Sequence, residues 1–193
     1  MSTRDSQGNI CDWKIGLHLR SLGTPRVPEF HALRLAQAVY GQYGILVEFR
    51  SGQSLPAAVN SETQCLQLEQ VDVGTCTLNQ AMTVQQSALF SYGSRQNLAA
   101  HEILCYWVDR VVSGARQLAG CAARPSDLGA CVVSALGSPW TLAHEVGHVL
   151  GLRHESDHTM LMSTPTASII LSLPRISATD LETIKASRHC VRI

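Results

Sequence analysis

Apolar residues alternate along WKIGLHLR (13–20), placing Trp13, Ile15, Leu17 and Leu19 on one face. That period predicts a half-buried β-strand and puts His18 on the other face, as a solvated or edge residue. The period changes in TPRVPEFHALRLAQAVYGQYG, where Phe30, Leu33, Leu35, Ala36 and Val39 form an apolar stripe. It predicts a helix from near Pro28, ended by the Gly41 and Gly44 region, with His31 at its surface. ILVEFR (45–50) predicts a second strand, and strand–helix–strand implies parallel pairing through a right-handed crossover. From 51 to 100, Gly, Ser, Pro and Asn break the pattern, leaving room for a strand or hairpin from Cys65 to Leu78. EILCYWVDRVV (102–112), rich in β-branched and aromatic residues, predicts a central strand, and ACVVSAL (130–136) another. Ser138 as N-cap with Pro139 in the first helical position predicts a helix from about Pro139 to Leu150. A last helix is predicted over SATDLETIKASRH (177–189), with Ser177 and Asp180 as a capping pair and Leu181 and Ile184 facing inward. These elements make an α+β chain.

Composition narrows the picture. A chain of 193 residues fits one domain with a sizeable core. Fifteen basic residues balance fifteen acidic ones without long blocks, which argues against a nucleic-acid or membrane-surface partner. No apolar run is long enough to span a bilayer, and MSTRDSQGN lacks the apolar core of a signal peptide. The seven cysteines are an odd number, so at least one stays free or pairs between chains. Cys65 with Cys76 is the first intrachain pair to expect, and Cys11 with Cys190 could tie the termini together. Buried reduced thiols are the competing expectation.

The chemistry concentrates in HEVGHVLGLRH (144–154), which reads H-E-x-x-H-x-x-G-x-x-H. Residues four apart share a helix face, so His144 and His148 can present two imidazoles to one metal ion. Gly151 tolerates the positive φ that lets a chain leave a helix sharply, and His154 can return beneath the helix as third ligand. Three nitrogens leave one tetrahedral position for water, the arrangement of a catalytic zinc. Glu145 can reach that water but is badly placed to share the metal, which suits a general base. His158 and His189 have no partner at ligand spacing, and His101-Glu102 lacks a second histidine three residues on.

The stretch resembles the zinc-binding signature of the metzincins, a clan of metalloendopeptidases. The resemblance implies a Met-turn, an apolar floor beneath the zinc. Met162, eight residues after His154 and preceded by Leu161, is the favoured candidate over Met160. The short interval is similar to matrixins, yet Ser163-Thr164-Pro165 stands where those show Tyr-Pro. Glu155 follows the third histidine as in astacins, without their tyrosine after the methionine. The fold implied is a metzincin-like zincin: a twisted mixed sheet with one antiparallel edge strand in the QLAGCAARP region, a backing helix and an active-site helix. The single catalytic domain (1–193) would divide into an N-terminal subdomain (1–151) and a small C-terminal one (152–193) ending in a helix. One Zn2+ is implied, while calcium sites are not legible. The expected partner is a protein or peptide in extended conformation, bound by a monomer. Residues 166–176, with Ile169-Ile170-Leu171, are expected to wall the cleft. The function implied is that of a zinc-dependent endopeptidase, with a delivered toxin or effector, or a non-catalytic zinc-stabilised binding module, as alternatives. The location implied is secreted, with a cytoplasmic one as its alternative.

Overall fold

The computed structural model describes residues 3–60, 65–77, 80–93, 98–122, 129–164 and 172–193. A small antiparallel hairpin, β1 (Thr3–Arg4) and β2 (Ile10–Cys11), precedes β3 (Trp13–Ser21). α1 (Glu29–Gly41) leads to β4 (Ile45–Ser54), which runs parallel to β3, as the strand–helix–strand pattern requires. Gly44 adopts φ +72° in the turn between them. Phe30, expected in the buried stripe of α1, is exposed and packs its ring against exposed Phe49 of β4, with centroids 5.3 Å apart.

The predicted hairpin is arranged differently. β5 (Ala58–Asn60) pairs with β6 (Cys65–Gln67), while β7 (Gln70–Asp72) joins another sheet. After α2 (Val84–Ser91), the long strand expected over 102–112 splits into β8 (Ile103–Val108) and β9 (Arg110–Ser113). Asp109 marks the break: its carbonyl accepts from the Ala135 amide and its carboxylate from the Thr24 amide. β9 leaves to pair with β7 and with β10 (Arg116–Leu118). β11 (Gly120–Ala122) and β12 (Ala130–Ser134) then complete the main sheet's edge, ahead of α3 (Thr141–Val149), α4 (Ala178–Ala186) and β13 (Val191–Arg192).

The main sheet runs β11-β12-β8-β3-β13, with β4 also on β3. β4, β3, β8 and β12 are mutually parallel, and β11 is the antiparallel edge strand. Alternation on the central strands builds two cores. Ile15, Leu17, Leu19, Ile103, Cys105, Trp107, Cys131 and Val133 face α1 and α3. Leu104, Tyr106, Val108 and Val132 face α2 and the β7–β9 region. Tyr40 of α1 is fully buried and donates its hydroxyl to the Ala143 carbonyl of α3 at 2.9 Å, clamping the two helices.

His18 corrects the expectation of a solvated residue. It is 6% exposed, with Nδ1 2.8 Å from Ser51 Oγ and Nε2 3.0 Å from Glu102 Oε2. A β-bulge produces this: Leu17 pairs with Phe49 but His18 with Ser51, so Arg50 is the extra residue on β4. Arg50 Nε donates to Glu102 Oε1 at 2.7 Å and the Ala99 amide to Oε2 at 2.8 Å. The result is a paired, buried polar cluster on the non-core face of β3. His189, also buried, sets Nδ1 3.1 Å from the His101 carbonyl.

The cysteine pairing differs from expectation too. Cys76 bonds to Cys121, so Cys65 is not its partner, and Cys11 and Cys190 are both buried free thiols. Cys105 and Cys131 sit opposite each other on β8 and β12, where their mutual hydrogen bond and then burial push the Cys131 thiol well above its ordinary pKa. Both are buried free cysteines of the core.

Candidate metal centre

α3 packs on β11, β12 and β8 beside α1, and all nine of its residues are buried. It begins two residues later than predicted. Ser138 and Pro139 instead form a turn in which the Thr141 amide donates to the Ser138 carbonyl and the Trp140 amide to Ser138 Oγ. Its end matches the sequence reading. Gly151 takes φ +102°, the Leu152 amide donates to the Gly147 carbonyl and the Gly151 amide to the His148 carbonyl. This pair of bonds is a Schellman motif, closing the last turn and reversing the chain.

The reversal brings three imidazoles together. His144, His148 and His154 each offer a ring nitrogen, all within 4.8 Å of one another, and His148 Nε2 lies 3.0 Å from His154 Nε2. Two nitrogens bound tetrahedrally to one zinc stand about 3.3 Å apart, so the spacing suits one ion. The ring orientations are fixed by the same reversed segment. His144 Nδ1 is 2.9 Å from the Leu161 carbonyl, and His148 Nδ1 is 2.9 Å from the Leu152 carbonyl. A carbonyl only accepts, so each Nδ1 carries a proton and donates, leaving Nε2 as the ligating nitrogen. The residues present fit one Zn2+.

Met162 lies directly beneath α3. A methyl group on Gly147 would stand 2.7 Å from the Met162 sulfur, so the glycine is what admits the methionine there. Met162 is 1% exposed. A tight turn holds it, with the Ser163 amide donating to the Met160 carbonyl and the Glu155 amide to the Met162 carbonyl. Met160 instead bridges to Arg175, outside this contact. Ile169, Ile170 and Leu171, read as a cleft wall, lie outside the described residues.

Glu145 is buried, and its neighbour is one that sequence reading missed. A methyl group on Gly120 of β11 would lie 2.8 Å from both Cγ and Oε1 of Glu145. The edge strand therefore passes against the glutamate, and only a glycine fits. A cleft of about 570 Å3 opens over the site, lined on one side by residues 116–120, from β10 to the start of β11, and on the other by His144, Glu145, His148 and His154. Thr75 and Cys76 close one wall, tied to the edge strand through the Cys76–Cys121 disulfide. Cys76 has φ +50°, uncommon for a non-glycine residue. Glu155, next to His154, has its carboxyl pushed up to about 7, chiefly by hydrogen bonding to Asp180, then by burial and by the charges of Asp180 and Asp157.

No protein-family model matches the sequence, and no curated protein matches it. Solved structures do match in fold. Metalloproteinase-II from Bacteroides fragilis superposes with a TM-score of 0.63 at 15% identity over 95% of this chain. This chain spans about half of that protein, 55% of its length. A zinc-dependent peptidase from Methanocorpusculum labreanum gives 0.53 at 14% identity, covering 88% of this chain and 100% of that one. Archaemetzincin from Methanopyrus kandleri gives 0.51 at 16% identity, covering 89% and 94%. At these identities the likeness is one of fold, and it does not single out matrixins.

Proposed function

We propose that this chain is a zinc-dependent endopeptidase of metzincin type, with Glu145 as general base and Met162 as the Met-turn floor. The observation that carries this reading is the convergence of three oriented imidazoles in an open cleft, with Glu145 beside the first of them. The fold shared with solved zinc peptidases supports it.

Bound by His144, His148 and His154, zinc supplies Lewis acidity toward a water and toward the scissile carbonyl. Glu145 takes the proton of the attacking water and returns it to the departing amine. Its position is fixed by the edge strand packed against it at Gly120, so the carboxylate needs little reorganisation during reaction. β11 has a strand partner on one side only, β12, among the described residues. An extended peptide can add to its outer edge by backbone hydrogen bonds, which supports protein or peptide chains as substrate. The site is built within one chain, which supports a monomer. The Cys76–Cys121 disulfide supports action in an oxidising, extracellular compartment.

The test is cleavage of an unfolded protein by the purified chain, with and without a zinc chelator. Cleavage that stops with chelator and returns with zinc is expected. Cleavage indifferent to chelator would overturn the reading.

A further inference from the structure

Two described side chains lining the cleft, apart from its histidines, carry charge: Glu145 at the reaction centre and Arg116 on β10. Arg116 is exposed and has no ion pair or hydrogen bond among the described residues. Its neighbours along the wall are neutral: Ser113, Gln117, Leu118, Ala119 and Gly120. Gly120 marks the reaction centre because it touches Glu145. Arg116 lies four residues earlier on β10, which pairs with β9 in another sheet and is divided from β11 by a bend at Ala119. A substrate in the cleft that passes Glu145 at Gly120 therefore meets Arg116 on one side of the scissile bond. An unopposed guanidinium there is matched by a carboxylate, which it can grip through two parallel hydrogen bonds.

We propose that Arg116 is a specificity-determining residue that selects peptides carrying an Asp or Glu side chain on the side of the cleaved bond that faces residues 116–119. This inference rests on the peptidase reading and names its substrate class. An exposed charge pair of this kind changes recognition by up to about five-fold.

The experiment has two arms, both using the full zinc-loaded chain. In the first, a mixed peptide library is cut and the residues flanking each cut are counted. Wild type should enrich Asp and Glu on one side of the cut, Arg116→Ala should lose the enrichment, and Arg116→Glu should turn it toward Lys and Arg. In the second, Glu145→Ala protein is titrated with paired fluorescent peptides that differ only by Asp against Asn, with and without Arg116→Glu. The Asp peptide should bind up to about five-fold tighter, with the order reversed by the substitution. Zinc content and melting temperature verify that each variant is folded. Absence of all cleavage would count against the peptidase reading alone, since the binding arm still reports on Arg116. Identical charge profiles for wild type and Arg116→Glu, or equal binding of the two peptides by the protein that retains Arg116, would overturn this inference.

Discussion

Gly120 and Glu145 are in contact: a single methyl group on the glycine would come within 2.8 Å of the glutamate's Cγ and Oε1. Gly120→Ala must therefore push the carboxylate away, since the Val132 carbonyl blocks the alternative at 2.7 Å. Displacing a catalytic group by about 1 Å costs on the order of a hundred-fold in rate. The expected outcome is a loss of that size in kcat with zinc affinity retained. Steady-state kinetics beside a zinc titration checks it.

Gly151 carries the chain from α3 to His154 at φ +102°, a conformation L side chains rarely adopt. Gly151→Ala should destabilise the protein by about 1 kcal/mol or more. It should also weaken zinc binding, because His154 and the Leu152 carbonyl that orients His148 both lie just beyond the bend. Competition with a chromogenic chelator measures the second effect directly.

Reduction of Cys76–Cys121 releases a link between residues 45 apart. Loop entropy assigns such a link roughly 4 kcal/mol. Urea unfolding with and without a phosphine reductant should show a loss of about that size. Cleavage should fall as well, because Cys76 and the edge strand are two walls of one cleft.

Glu102 gives a pH-dependent prediction. Burial raises its pKa, but hydrogen bonds from His18 and the Ala99 amide, with the charges of His18 and Arg50, outweigh burial and hold it below its ordinary value. A depressed carboxylate stabilises the fold above its unfolded pKa, and the contribution disappears as pH falls through the folded value. Glu102→Gln should therefore cost about 2 kcal/mol near pH 7, with the difference from wild type shrinking below about pH 4. Denaturant unfolding at both pH values checks the sign.

The metal centre was legible because its determinants are local. Spacing within HEVGHVLGLRH sets two ligands on one helix face and a glycine at the bend, and Met162 follows only eight residues later. Elements with a clear period, such as β3, α1 and β12, were legible for the same reason. What escaped depends on contacts between distant residues. His18 alternates as a surface residue, and only the bulge at Arg50 and the approach of Glu102 bury it. Cys76 finds Cys121 across a strand pairing that no local pattern encodes. β8 and β9 share one apolar run, and the bonds of Asp109 to Thr24 and Ala135 divide it. Gly120 looks like any turn glycine until α3 is laid against β11.

The most direct test of the account is to measure zinc content and peptide cleavage together for wild type and Glu145→Ala. Glu145 stands beside the ligands and is not one of the three converging nitrogens. The account predicts one zinc per chain in both proteins and cleavage reduced by about a thousand-fold or more in the variant. A Glu145→Ala protein that holds zinc and cuts at the wild-type rate would contradict it.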